Sequence, residues 1–267
     1  DVHGRVSRPM RVTLGQYLPR DSVIHSADPR VKLFLMGLSI GAVFRIDTAL
    51  GLALFFTLCM LLSMLSRVPM RRLLAGLSPF IWLFVLTAVL HLFMTPGRPM
   101  PWIPHATWQG LENGARVGFQ LVSAIWISTL MTLTTSPLDM VEALEWYMRP
   151  LKYVRVPVDE IALLIMLAIR FIPLLFEETD RILKAQMARG VDIETGGILK
   201  KVRSMVPILV PLLHSVFRRA DDLAVALTLR GYEPGIERSR MKRMHARARD
   251  LVSLAAMSTI LVTLAWF

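Results

Sequence analysis

The stretch FIPLLFEETDRILKAQMARG (171–190) recurs in outline 41 residues later as PLLHSVFRRADDLAVALTLRG (211–231). Each stretch contains proline, is amphipathic and ends in Arg-Gly. Glycine adopts the left-handed conformation that ends many helices without Cβ strain, so the pattern predicts a helix end at both glycines. Arg189 and Arg230 would lie in the last turns, where a guanidinium offers five fixed donors to a partner. One Arg-Gly is typical of an ordinary helix stop, but two at matching positions indicate a paired docking device.

The composition of the 267-residue chain is that of a membrane protein. Hydrophobic residues make up 54% of it, the mean hydropathy is +0.51 and the formal net charge is +11. This hydrophobicity is too high for an ordinary soluble domain, whereas excess Lys and Arg are expected in the cytoplasmic loops of a membrane protein. A nucleic-acid-binding protein would not need several apolar runs of spanning length, so no nucleic-acid partner is expected.

Two further features limit the possible classes of protein. Residues 1–30 are polar, basic and broken by three prolines, which is unlike a cleavable signal peptide. The single cysteine, Cys59, lies within an apolar run, so an internal disulfide is excluded.

Five apolar segments are predicted to cross the lipid bilayer. They cover residues 31–44, 48–65, 77–94, 112–133 and 251–267. A span needs about 20 residues for a hydrocarbon core of about 30 Å, or fewer where the bilayer thins or the helix begins in the interface. Basic residues cluster before the first segment, after the second and before the fifth. The positive-inside rule therefore predicts a cytoplasmic N-terminus and a cytoplasmic region between the fourth and fifth segments.

This cytoplasmic region is predicted to form a module of long amphipathic helices. Ser136 followed by Pro137 is typical of an N-cap with proline at the first helical position. A second helix is predicted to start near Val158, and a third after a Gly-Gly pair. The predicted fold is all-α, with the N-terminal segment and four spans in residues 1–135, the coupling-helix module in 136–249 and the last span in 250–267.

Pairs of an acidic residue followed four positions later by a basic one are predicted to form on the helices. On an exposed helix face each such pair contributes about 0.3–0.5 kcal/mol. The pairs are Glu177 with Arg181, Asp180 with Lys184 and, at the start of the fourth predicted span, Glu112 with Arg116.

No catalytic motif accompanies these segments. The sequence lacks the G-x-x-x-x-G-K-[ST] pattern, so it is not expected to bind ATP as a P-loop protein does. It also lacks H-E-x-x-H and C-x-x-C, and its six histidines have no metal-ligand spacing. His91 and His214 are predicted to be packing residues. The spans carry few of the acid, base or metal groups that an intramembrane enzyme or an ion relay would need. An intramembrane enzyme and a self-sufficient carrier remain the alternatives to a coupling protein.

Four stretches together resemble the transmembrane T component of energy-coupling factor (ECF) importers of vitamins and metals. They are DSVIHSADPRVKL, SPLDMVEALEWYMRPLKYVRVPVDE, LAIRFIPLLFEETDRILKAQMARGVD and VPLLHSVFRRADDLAVALTLRGYEPG, spread through nearly the whole chain. The resemblance implies a multi-pass protein of a prokaryotic cell membrane with cytoplasmic coupling helices. It also implies a non-catalytic scaffold that links ATP hydrolysis in partner chains to the reorientation of a substrate-binding membrane subunit for vitamin uptake.

In that family, two Ala-Arg-Gly-like motifs end the coupling helices, and each docks on one of two ABC-type ATPases. The matching motifs here are Ala188-Arg189-Gly190 and Leu229-Arg230-Gly231. Leu229 departs from the family's alanine, which puts in doubt only how tightly the backbone packs there. The resemblance implies that ATP and Mg²⁺ bind to the partner ATPases and that this chain holds no cofactor or metal.

The apolar halves of both helices are implied to contact a small, exchangeable substrate-binding (S) subunit. The implied contact residues are Ile161, Leu164, Ile165, Ile169, Ile172, Leu209, Leu213 and Phe217. For any one of them, packing within the chain is an equally open alternative. Pro173, Pro207 and Pro211 would bend or interrupt the helices, either as hinges between the two contacts or as static kinks. The residues do not identify the vitamin or metal that is transported.

Overall fold

Each of the five apolar segments contains a helix in the computed structural model, which describes residues 17–101, 106–190, 198–233, 235 and 248–266. The α-helices of these residues are, in chain order, α1 Val23–Ser26, α2 Pro29–Val43, α3 Ala49–Leu65, α4 Met70–Leu77, α5 Ile81–Met94, α6 Trp108–Thr134, α7 Pro137–Met148, α8 Val158–Ala188, α9 Ile198–Leu229 and α10 Ala248–Ala265. Two 3-10 helices, Ser78–Phe80 and Arg149–Val154, follow α4 and α7. In the same residues the β-structure is limited to one isolated bridge between Pro99 and Thr107. The predicted all-α fold is confirmed.

The chain divides into two units. The larger unit comprises Gly15–Trp146 and Lys242–Phe267, and the smaller unit comprises Asp1–Leu14 and Tyr147–Met241. This division does not test membrane topology, so the boundaries of the cytoplasmic module stay a prediction.

Side-chain caps start several helices of the larger unit, among them α2, α3 and α6. Asp28, Thr48 and Thr107 each accept a hydrogen bond from a backbone N–H in the first turn of α2, α3 and α6. A capped N–H group no longer needs a partner from water, which stabilises the helix start. The cap at Thr107 explains why α6 begins four residues before the predicted fourth span.

Within the part of the chain that the structure describes, two helical segments are each long and apolar enough to cross a membrane. They are Met70–Met94, with 25 residues, and Trp108–Thr134, with 27. The first continues through the 3-10 turn at Ser78–Phe80, so this helical segment starts seven residues before the predicted third span. Two further helices, Ala49–Leu65 and Val252–Leu264, are apolar but shorter. The number of spans therefore stays a prediction.

The core of the larger unit lies where α2, α3, α4, α6 and α10 meet. Its fully buried side chains include Val43, Ile46, Phe55, Cys59, Leu73, Leu133 and Leu261. Several polar groups in this core are paired, although the buried Ser123 hydroxyl has no hydrogen-bond partner within the described residues. The indole N–H of Trp126 donates to Ser63 Oγ at 2.8 Å, and the Ser63 hydroxyl donates to the Cys59 carbonyl at 2.7 Å. An unpaired polar group in hydrocarbon costs several kcal/mol, so these bonds keep an apolar core compatible with polar side chains.

Glycines allow α5 and α6 to approach closely. Gly110, Gly114 and Gly118 recur every four residues on α6. A Cβ at Gly110 would lie 2.4 Å from the His91 carbonyl oxygen, and one at Gly114 would lie 3.4 Å from Ala88 Cα. Small residues at this spacing let helix backbones pack against each other in membranes. A Cβ at Gly118, by contrast, would meet nothing within 4 Å.

Of the predicted charge pairs, the one in the larger unit is wrong. Arg116 Nη1 lies 3.3 Å from Asp47 Oδ1, and Arg116 Nη2 donates to Asn113 Oδ1 at 3.1 Å. The guanidinium thus reaches the loop before α3 rather than Glu112 on its own helix.

The smaller unit contains the two longest helices of the described residues, α8 and α9. Pro173 lies inside α8, and Pro207 and Pro211 lie inside α9. Both helices continue through their prolines, so of the two expected effects interruption does not occur and bending stays a prediction. The hinge role of these prolines stays a prediction.

The two charge pairs predicted on α8 have different outcomes. Lys184 Nζ lies 2.6 Å from Asp180 Oδ2, which confirms the predicted pair of Asp180 with Lys184. Arg181 contacts Glu178 at 3.8 Å instead of the predicted Glu177. Glu178 also pairs with Arg219 of α9, so its carboxylate is shared between the two helices.

Candidate coupling site

The end of α9 is closed by backbone hydrogen bonds around a left-handed glycine. Gly231 has a φ of 70°, and its N–H donates to the Thr228 carbonyl at 3.0 Å. The N–H of Tyr232 donates to the Leu227 carbonyl, also at 3.0 Å. These two bonds form a Schellman motif, which satisfies carbonyls that the helix would otherwise leave unpaired. Arg230 is therefore held at a closed helix end.

The end of α8 has the same kind of terminus. Gly190 has a φ of 86°, and its N–H donates to the Met187 carbonyl at 3.0 Å. Arg189 is the C-cap, and its backbone N–H donates to the Gln186 carbonyl at 3.1 Å. The predicted helix ends at both glycines are confirmed.

The six residues of the two motifs are all exposed. They are Ala188, Arg189, Gly190, Leu229, Arg230 and Gly231. Leu229 is 83% exposed, which is a large apolar surface to leave uncovered. A Cβ built on either glycine would meet nothing within 4 Å, so the backbone there is open to a partner. Each end offers a guanidinium, an apolar neighbour and an accessible backbone, which suits docking into a groove that contains carbonyl or carboxylate acceptors.

An ion pair joins α8 to α9. Arg219 Nη2 lies 3.5 Å from Glu178 Oε2, and Arg181 Nη1 lies 3.8 Å from the same oxygen. The Glu178 side chain is 18% exposed, so this carboxylate is partly shielded from water and shared by two guanidinium groups.

A second contact fixes the direction of the helix pair. The backbone N–H of Gly235, five residues beyond Arg230, donates to Glu160 Oε1 at 2.9 Å. Glu160 lies in the first turn of α8, whereas Arg189 lies at its end. The two Arg-Gly ends therefore lie on opposite sides of the ion pair at Glu178, measured along α8.

The residues predicted to contact a substrate-binding subunit lie on the apolar halves of both helices. Five of them are exposed: Leu164, Ile172, Leu209, Leu213 and Phe217. The other three, Ile161, Ile165 and Ile169, are half-buried. Leu164 and Phe217 have the most open side chains, at 64% and 65%. Exposed apolar residues in this number are typical of a surface that faces lipid or a partner protein.

Glu160, Glu178, Arg219 and Gly235 make contacts at the site that were not predicted from the sequence. Glu178 and Arg219 could have been found, since they align with each other in the repeated stretch and carry opposite charges. The bond between Glu160 and Gly235 joins residues far apart in the chain, and no local pattern indicates it.

Over the part of the chain that the structure describes, no three His, Cys, Asp or Glu side chains gather where they could hold a metal ion. His91 Nδ1 is bonded to the Thr87 carbonyl of its own helix, at 3.0 Å. His214 lies exposed on α9.

Comparison with known families gives one match that covers most of the chain. The family CbiQ, described as "Cobalt transport protein", matches residues 20–243. The match includes α1 to α9 and both Arg-Gly ends.

Curated relatives resemble the chain along nearly all of its length. A protein of Thermosediminibacter oceani is 41% identical over 253 residues, covering 94% of this chain and 96% of the relative. Proteins of Thermanaerovibrio acidaminovorans and Bacillus subtilis are 42% and 39% identical, covering 93% of this chain in both cases and 93% and 96% of the relatives. Each is named "Energy-coupling factor transporter transmembrane protein EcfT".

Proposed function

Because the chain belongs to the CbiQ family, we propose that it is the transmembrane energy-coupling subunit of an ECF transporter. The names of the relatives support the assignment to a transporter. The two exposed Arg-Gly ends are the proposed points at which motion is coupled. The protein is then a membrane-embedded, non-catalytic subunit, and ATP hydrolysis takes place in partner chains. Its spans cross the membrane several times, with α8 and α9 on the cytoplasmic side, as the distribution of basic residues predicts.

Two ABC-type ATPases are the proposed partners of the Arg-Gly ends. Arg189 would dock on one and Arg230 on the other, with ATP and Mg²⁺ bound to the ATPases. The exposure of both ends and their placement on opposite sides of one ion pair support a pair of partners. Binding of ATP would move the ATPases, and the contacts that differ between their open and closed states would transmit the motion to α8 and α9.

A small, exchangeable substrate-binding membrane subunit is the proposed partner of the apolar halves. The exposed Leu164, Leu213 and Phe217 support this assignment, since a partner or lipid must cover them. Movement of α8 and α9 would reorient that subunit and release its vitamin into the cytoplasm. Pro173, Pro207 and Pro211 lie between this surface and the Arg-Gly ends or within it, where a bend could adjust one contact to the other.

The observation that carries this proposal is the pair of closed, exposed helix ends at Arg189 and Arg230. The test is ATP-dependent vitamin uptake by proteoliposomes that contain the full chain, two ATPases and a substrate-binding subunit. The double variant Arg189→Glu/Arg230→Glu should abolish uptake and release the ATPases during purification, because both charged contacts become repulsive.

A matched control keeps the charge change and the helices but moves the substitutions. Lys184→Glu/Arg218→Glu makes the same change in net charge on α8 and α9 and should retain ATPase binding. Normal uptake by the Arg189→Glu/Arg230→Glu variant would contradict the proposal. Uptake by the chain alone, without ATPases, would favour a self-sufficient carrier.

A further inference from the structure

A cavity of about 690 Å³ lies in the larger unit between the residues before α2 and the end of α3. Arg20, Arg67, Tyr17 and Ser22 line it, together with the apolar Met64. Arg20 Nη1 donates to the Arg67 carbonyl at 2.6 Å, which ties the segment before α1 to the end of α3. That contact uses one of the five N–H donors of the Arg20 guanidinium.

Arg67 ends α3 in a conformation that favours glycine. Its φ is 55°, and its N–H donates to the Met64 carbonyl at 3.0 Å. Glycine would take this left-handed conformation without strain, whereas arginine takes it at a cost. Backbone strain of this kind is found where a side chain is needed for a function. Arg67 lines the cavity, so we expect its side chain to act there.

Hydrogen bonds of His25 hold one wall of the cavity. Its Nε2 lies 3.0 Å from the Leu18 carbonyl, and its Nδ1 lies 2.7 Å from Ser22 Oγ. Because a carbonyl only accepts, Nε2 carries the proton and Nδ1 accepts from the Ser22 hydroxyl. His25 is therefore a structural part of the wall. Asp21 is the acidic residue among the lining residues, so its charge opposes those of two arginines.

The surroundings of the cavity change from apolar to basic. Met64 and Leu65, in the last turn of the apolar α3, are 67% and 51% exposed. Arg71 and Arg72 follow on α4 and are also exposed. Apolar helix surface beside a basic loop is typical of the depth at which lipid headgroups lie, and anionic headgroups are attracted there.

We propose that this cavity binds the headgroup phosphate of an anionic glycerophospholipid. Arg20 and Arg67 contact the phosphate, the Tyr17 and Ser22 hydroxyls lie within the same cavity, and the acyl chains extend along Met64 and its neighbour Leu65. Guanidinium groups bind phosphate oxygens through strong charge-assisted hydrogen bonds. A free phosphate shares this chemistry, but the apolar edge of the cavity favours a ligand with chains. The proposal rests on membrane location and does not depend on the coupling role.

The test is a binding titration of the full chain in detergent, followed by native mass spectrometry, with phosphatidylglycerol or phosphatidylcholine as the probe. Phosphatidylglycerol should be retained preferentially. Arg20→Gln and Arg67→Gly should each weaken its binding by about tenfold or more, the factor expected for losing a charge-assisted hydrogen bond. Arg67→Gly also relieves the backbone strain, so its thermal stability should be equal or higher, and misfolding will not account for weaker binding.

Two control variants separate a site from diffuse attraction. Arg71→Gln/Arg72→Gln removes nearby charges that do not line the cavity, and Arg45→Gln removes a charge at the opposite end of α2. Both should change phosphatidylglycerol binding less than the cavity variants do. An equal loss in the Arg71→Gln/Arg72→Gln variant would overturn the proposal in favour of surface electrostatics. Unchanged binding in both cavity variants would overturn it as well. Displacement of the lipid by equimolar glycerol phosphate would show a free-phosphate site instead.

Discussion

Glu178 and Arg219, whose side chains lie 3.5 Å apart, occupy equivalent positions in the two related helices. Each is 11 residues before the arginine of its helix end, Arg189 on α8 and Arg230 on α9. At a rise of 1.5 Å per residue, each arginine lies about 16 Å along its helix from the ion pair. The contact between α8 and α9 therefore joins the same point of both repeats, and the two Arg-Gly ends are equally distant from it.

Reversing one charge of this pair should weaken the contact, and reversing both should restore it. Glu178→Arg should be the more harmful single change, because it also brings Arg181 against a new positive charge. A double-mutant cycle should give a coupling energy of about 0.5–1 kcal/mol, the range for partly exposed pairs. Thermal unfolding in detergent and ATP-dependent uptake would measure it. Exchanging Asp180 and Lys184, a pair within α8, is the control and should have little effect on uptake.

Alanine at the helix-ending glycines should fray the helix ends without causing a steric clash. Gly190 and Gly231 have positive φ, and the space around each is open. The cost of alanine is then backbone strain of about 1 kcal/mol. Asparagine tolerates the left-handed conformation better and should recover part of the loss. Hydrogen exchange of the Tyr232 amide would follow the end of α9. Equal protection in the alanine and asparagine variants of Gly231 would contradict this account.

Alanine at Gly110 should separate α5 from α6. The added Cβ would lie 2.4 Å from the His91 carbonyl oxygen, so one helix must move. Overpacking of this kind costs about 1–3 kcal/mol, and the thermal midpoint in detergent should fall. Gly118→Ala is the matched control, since its Cβ meets nothing and alanine favours helix more than glycine does. Equal midpoints for the two variants would mean that α5 and α6 do not pack through Gly110.

The stability of the N-terminal segment should decrease as the pH falls below about 6.5. Burial lowers the pKa of His25 from its usual value of 6.5, and the nearby positive charges of Lys32 and Arg20 lower it further, against the opposing effects of the Leu18 carbonyl and Asp21. Below pH 6.5 His25 therefore binds a proton more readily in the unfolded chain than in the folded chain. The free energy of unfolding decreases as the pH decreases. Thermal midpoints measured between pH 7.5 and 5.5 would show the decrease. His25→Gln should make the midpoint less dependent on pH.

An anionic lipid in the neighbouring cavity should shift this titration. A phosphate close to His25 would favour the charged imidazole and raise its pKa. Titration of labelled histidine with and without phosphatidylglycerol would measure the shift. An unchanged pKa of His25 would mean that the phosphate binds away from the wall of the cavity that contains His25 and Ser22.

Local signals in the sequence were sufficient to predict where most helices begin and end. Ser136 before Pro137 marks the start of α7, and Gly190 and Gly231 mark the ends of α8 and α9. These features depend on residues within one helical turn, so a single stretch of sequence contains the information. The same reasoning predicted the pair between Asp180 and Lys184.

Contacts between distant segments could not be predicted in this way. Arg116 pairs with Asp47 because α6 passes the loop before α3, and the four-residue spacing to Glu112 says nothing about that loop. Glu178 rather than Glu177 holds Arg181 because Arg219 of another helix lies on the same side. In both cases the packing of helices decides between partners that are equivalent along the chain.

The Arg-Gly ends of α8 and α9 lie equally far from the ion pair between Glu178 and Arg219. The two helices therefore resemble a lever that pivots at this pair and has the Arg-Gly ends as its tips. Equal displacements of both tips change the angle between the helices and leave the ion pair in place. A displacement of about 1 Å at a tip turns its helix by about 3–4°, given an arm of about 16 Å. A displacement of one tip alone would also shift the ion pair sideways. If two ATPases dock on these ends as proposed, we expect this geometry to distinguish concerted closure of both from movement of only one.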